Sequence, residues 1–138
     1  MAIKNQESGT TLRNRLSRGI VLAIRLLVEQ GAPDEKSLDK VAFVVLALDK
    51  ISESVDLSAM AWEKRDYWVK ADAFRMEWEW AIGSSKRVKE ALFSKDWPQI
   101  AIELITVAQK LHKVQISPNN RIGEPWVGAY AALLKQNK

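Results

Sequence analysis

An all-α fold, an up-down bundle of four main helices plus a short C-terminal fifth helix, is predicted by three features of this sequence. Apolar residues recur at alternating steps of three and four along most of the chain. No stretch alternates apolar and polar residues long enough to make a strand. Turn chemistry is confined to brief interruptions, and short connections favour antiparallel neighbours.

Residues 1–9, MAIKNQESG, lack periodicity and are expected to form a flexible N-terminal arm, leaving 10–138 as a single helical-bundle domain. From Thr10 or Thr11 the apolar positions Leu12, Leu16, Ile20, Ala23 and Leu27 recur at helical spacing, with Val21, Ile24 and Val28 widening the stripe. Gly31 is the expected stop, because glycine tolerates the left-handed conformation that ends many helices. Pro33 can open the next helix without losing a needed donor. That second helix is predicted over Pro33 to Ser54, with Leu38, Val41, Val45 and Leu48 facing inward. A break is expected at Ser54 to Ser58, where Asp56 and Ser58 are suitable N-caps.

The third helix follows and contains the densest feature of the chain. Ala61 to Trp80 holds six of the eleven aromatic residues, four tryptophans among them, interleaved with nine charged side chains. Tyr67, Ala71, Phe74, Trp78, Ala81, Ser85, Val88 and Leu92 keep the three-four spacing. A second stripe runs through Trp62, Val69, Ala73, Met76 and Trp80, so a broad buried face is expected. Asp66 with Lys70, and Arg75 with Glu79, are spaced to pair on the solvent side. Gly83, Ser84 and Ser85 can accommodate a bend. Asp96 caps the fourth helix, with Pro98 in its first turn and Gln99 placed to reach back. Its core stripe is Ile100, Leu104, Val107, Leu111 and Val114. Ile116 to Pro125 is the one long stretch of turn chemistry, and Pro125 starts the closing helix, with Trp126, Tyr130 and Leu133 on one side.

The chain has 138 residues, an ordinary size for one domain, and the 47% apolar and 28% charged content is that of a globular protein. It contains no cysteine, which excludes disulfides, a cysteine nucleophile and thiolate metal sites. Arg25 interrupts the most apolar early stretch, Gly19 to Val28, and no span of ~20 apolar residues occurs, so a soluble cytoplasmic protein without membrane association is expected.

The residues for chemistry are sparse. The single histidine, His112, has Gln109 three positions before it, so the Glu-x-x-His pattern of bundle metal sites is missing; neither metal nor cofactor is expected. Glu77 and Glu79 point apart on a helix, and no phosphate-cradling glycine loop or nucleophile elbow occurs, so a non-enzymatic protein is predicted.

What remains is binding. Trp68 falls about 100° off the main apolar seam, among Lys64, Asp72 and Arg75. Tryptophan and arginine dominate interface hot spots, so Arg65, Trp68 and Arg75 are the candidates for a protein-interaction module that binds a partner or itself through the aromatic third helix. The alternative is a nucleic-acid-associated protein. The net charge is +4, and Arg15, Arg18 and Arg25 on the first helix, with Lys86, Arg87 and Lys89 further on, could meet phosphates if they converge. A helical pocket for an aromatic or tetrapyrrole ligand is the third reading.

Overall fold

Periodic burial around one long central helix organises the chain. The computed structural model describes residues 7–137. They form six helical segments and no strand: α1 (Gly9–Gln30), α2 (Glu35–Glu63), α3 (Trp68–Trp78), α4 (Trp80–Phe93), α5 (Trp97–Lys110) and α6 (Ala129–Gln136). α2 packs against α1, α3, α4 and α6, while α5 packs mainly on α4 and touches α1 lightly. The predicted all-helical class is therefore observed.

Six residues of the expected arm lie outside the described part. Its last three are built into the fold: Ser8 caps α1 by accepting from the Thr11 amide at 3.1 Å, and Gly9 begins the helix. α1 and α2 run antiparallel. Arg13 reaches Ser54 at one end, and Gln30 meets Ser37 at the other. Gly31 ends α1 at φ +81°, as expected. Pro33 does not open α2; Asp34 caps it, in a reciprocal capping box with Ser37.

The expected break at Ser54 to Ser58 is absent. α2 continues to Glu63, because Ile51, Val55 and Ala59 extend its buried stripe and Ser54 Oγ donates to the Ile51 carbonyl at 2.8 Å. The chain turns eight residues later. The Tyr67 amide bonds the Trp62 carbonyl and the Asp66 amide bonds the Glu63 carbonyl, closing α2 in a Schellman motif. Asp66 takes the left-handed position at φ +64°, which an aspartate tolerates better than most residues. Trp62 consequently belongs to α2. The expected long third helix is two segments, α3 and α4, divided at Glu79 rather than bent at Gly83.

Ser84 and Ser85 are buried, with Ser85 Oγ hydrogen-bonded to Asp49 and 3.2 Å from the Val45 carbonyl, so small side chains seat α4 close on α2. Asp96 caps α5 through the Gln99 amide at 3.2 Å, as predicted, but the Gln99 side chain donates forward to Glu103 instead of reaching back. Pro125 lies in a turn, and α6 starts four residues later at Ala129. The α6 start is capped from outside: Asp39 on α2 accepts from the amides of Gly128 and Tyr130 at 3.2 and 2.9 Å. The core gathers Ile20, Val41, Leu48, Ile51, Val88 and Leu92, all fully buried or nearly so.

Candidate functional site

α3 is attached by one side only. At about 100° per residue, Ala71, Phe74 and Trp78 face α2, Val69, Asp72, Ala73 and Met76 turn outward, and Trp68 stands at the flank beside Ala71 and Arg75. Ala71 is the one fully buried residue of the helix. Phe74 stacks edge-on against Trp62 at 5.0 Å between ring centroids. Arg75 forms a two-pronged ion pair with Glu63 and reaches Asp56 at 3.5 Å. This guanidinium holds the Glu63 carboxyl below the usual range and is itself pushed up.

On the opposite side Val69 is 85% exposed and Met76 69%, and at the flank Trp68 is 56% exposed. Leu57 and Met60 on α2 are exposed as well. The second apolar stripe expected in the core is therefore largely on the surface: Val69, Ala73 and Met76 face solvent, while Trp62 and Trp80 are half-buried. The expected surface pairs are replaced, with Arg75 bonding across to α2 and Lys70 lying over the Trp62 ring at 4.5 Å.

Of the three interaction candidates, Trp68 projects at the first turn of α3, and Arg65 lies in the preceding turn with its guanidinium over Tyr67 at 5.3 Å. Arg75 shares the Trp68 side of the helix two turns on, but its donors are engaged by α2. It braces α3 more than it faces a partner.

A buried cation fixes the same helix from α1. Arg13 is only 8% exposed, with its guanidinium 4.7 Å from the centre of the Phe74 ring. Its Nη1 donates to the Ser54 carbonyl, Ser54 Oγ and Ser58 Oγ at 3.2–3.4 Å. No carboxylate pairs with it among the described residues, and burial lowers its proton affinity.

The basic candidates do not gather as a group. Arg15 is held by Glu7 in a two-pronged contact at 2.8 and 2.9 Å. Arg15 and Arg18 line a cleft between α1 and the loop before α6, together with Arg121. Arg25 is exposed further along α1. Lys86, Arg87 and Lys89 sit on α4, whose partners are α2 and α5, and Arg87 is tied to Glu103 at 3.0 Å and Ser84 at 3.3 Å.

A second, apolar groove of about 250 Å³ separates the end of α1 from α5, with Leu27, Val28, Trp97 and Ile105 on its walls. Its volume falls below the ~300–1,000 Å³ usual for ligand pockets. His112 is exposed, with Nδ1 2.9 Å from the Gln109 carbonyl oxygen. Among the described residues no group of three or more His, Cys, Asp or Glu could hold a metal ion, and no helix is long and apolar enough to cross a membrane. Comparison with protein-family models, curated proteins and solved structures found no match for this chain.

Proposed function

We propose that the chain is a non-enzymatic protein-interaction module that binds a protein partner, or a second copy of itself, through the outward face of α3. In this reading α1, α2, α4 and α5 form an up-down bundle, and α3 is the helix it displays. One observation carries the reading: Val69 and Met76 on the side of α3 away from α2, and Trp68 at the flank of the α2 contact, are all more than half exposed. Apolar residues scattered singly on a surface need no explanation, but a tryptophan, a valine and a methionine all exposed between positions 68 and 76 of one helix call for one. Tryptophan contributes a large contact area for little lost side-chain freedom, and methionine adapts its shape to a partner surface. The Arg75–Glu63 pair and the Arg13–Phe74 contact hold the helix still from behind, which lowers the ordering cost of binding.

The test compares wild type with Trp68→Ala by light scattering after size exclusion and by capture from cell extract. Loss of self-association or of a specific captured protein, with the helical signal unchanged, supports the proposal. A hot-spot tryptophan is worth about 2 kcal/mol or more, roughly a 30-fold loss of affinity. A wild-type monomer that captures nothing dependent on Trp68 removes it. The nucleic-acid alternative draws on less, since Arg15 and Arg18 share a cleft while Arg87 on α4 is engaged by Glu103.

A further inference from the structure

The cleft between α1 and the loop before α6 is concave, encloses about 440 Å³ and combines two kinds of wall. Arg15, Arg18 and Arg121 bring three positive charges to it, and Leu16, Phe43 and Ile122 give it an apolar lining. Among the described residues, Glu7 is the one carboxylate paired with any of these arginines. Arg18 and Arg121 have no acidic partner there. Three like charges sharing one concavity repel one another, and an anion entering it relieves that repulsion.

The loop wall is ordered by its own bonds. Asn120 Nδ2 donates to the Ser117 carbonyl at 2.9 Å, and Asn120 Oδ1 accepts from the Ile122 amide at 3.1 Å. Leu111 is buried before the loop, and Trp126 is buried after it against Phe43. Arg121 is thus carried on a braced segment.

We infer that this cleft binds a small organic anion, an oxyanion head on the arginines and an apolar body on Phe43, Leu16 and Ile122, with Glu7 as the resident competitor for Arg15. Guanidinium forks match carboxylate and phosphate oxygens two at a time, which Glu7 already demonstrates on Arg15. That pair is largely exposed and so weakly held, which makes it displaceable. A concave, half-open shape with an apolar floor of Leu16 and Phe43 favours a small molecule over a polymer backbone, which needs charges strung along an open track.

The full chain, labelled with nitrogen-15, is titrated with phenyl phosphate, benzoate, inorganic phosphate and a short oligothymidylate. Phenyl phosphate or benzoate is expected to shift the amides around Leu16, Arg18 and Ile122 saturably, several-fold more tightly than inorganic phosphate. Arg18→Ala and Arg121→Ala should each weaken that binding about tenfold, the loss of one charge-assisted contact. Arg25→Ala, exposed on the same helix but outside the cleft, should leave it unchanged. Glu7→Gln should raise affinity several-fold, whereas an unchanged value overturns the competitor role. Absent shifts, binding indifferent to Arg121→Ala, inorganic phosphate binding equally well, or tighter and salt-sensitive binding of the oligothymidylate each overturn the site. The arginines are exposed, and unchanged amide spectra outside the cleft verify that the variants fold.

Discussion

Replacing Arg13 separates the stem of a buried arginine from its charge. The two methylenes beyond Cβ contribute roughly 1.6 kcal/mol at ~0.8 kcal/mol each. The guanidinium over Phe74 adds on the order of 1–2 kcal/mol as a desolvated cation–π contact. Against this stands the removal of a charge from water with no carboxylate in ion-pair contact, Glu77 acting on it only from further away, a cost of several kcal/mol before hydrogen bonds offset it. The bonds present are 3.2–3.5 Å long, at the weak end of the range. Stem and ring contact stabilise; the charge itself contributes close to nothing net. Truncation leaves Ser54 Oγ its bond to the Ile51 carbonyl, and the half-buried Ser58 Oγ loses its donor.

Arg13→Ala should therefore lose about 2–3 kcal/mol, from the stem and the cavity it leaves. Arg13→Met fills the same space without charge and should stay within about 1 kcal/mol of wild type. At roughly 3–4 °C per kcal/mol for a chain of this size, alanine lowers Tm by ~6–12 °C and methionine by less than ~4 °C. Urea melts followed by far-ultraviolet circular dichroism measure both. Because Phe74 anchors α3, any Trp68-dependent association should weaken in Arg13→Ala and persist in Arg13→Met. Equal destabilisation by alanine and methionine would refute the reasoning, since the guanidinium would then be the stabilising part.

Asp39→Ala should strip the external cap from α6, costing about 1 kcal/mol and speeding amide exchange in residues 130–136 while α1 is unaffected. Stability should also fall in acid. Glu63, held low by Arg75, Glu7, held low by Arg15, and Asp34, held low by Gln30 and Ser37, all bind protons less readily in the folded state. The unfolded chain takes up more protons in that window, so the contribution is complete above the ordinary carboxylate value of about 4 and is lost as pH falls through the depressed folded values. Urea midpoints measured between about pH 3 and pH 6 should show this slope, flattened in Glu63→Gln.

Helix ends were legible where the usual residue types mark them. Gly31 and Asp96 each perform the stop or start their chemistry suggests. The end of α2 was not legible, because a Schellman turn normally signalled by glycine is made there by Asp66. Lys95 makes the same turn after α4 at φ +51°, yet that boundary was readable from the Asp96 cap and Pro98 that follow. Ser54, Asp56 and Ser58 misled in the opposite direction. Their types favour caps, but the polar groups of Ser54 and Ser58 meet Arg13, and Asp56 meets Arg75. Residues 41 and 45 apart in sequence supplied the partners that local chemistry would otherwise have sought in the backbone.

Periodicity reports which side chains could share a dry face; whether they do depends on how many neighbours the helix receives. α2 is surrounded by four other segments, and nearly every apolar residue of its inner stripe is covered. α3 packs chiefly on α2, so its Phe74–Trp78 stripe is covered while Val69 and Met76, spaced just as regularly, are not. The sequence signal is the same in both helices, and the number of walls differs. An apolar stripe maintained at helical spacing with no wall inside its own chain is what a helix needs to meet a surface from outside. The basic residues obey the same logic. Arg15 and Arg121 are more than a hundred positions apart, and no local pattern joins them. The Asp39 cap on α6 and the Phe43–Trp126 contact lay the intervening loop against α1, and the cleft exists because of that packing.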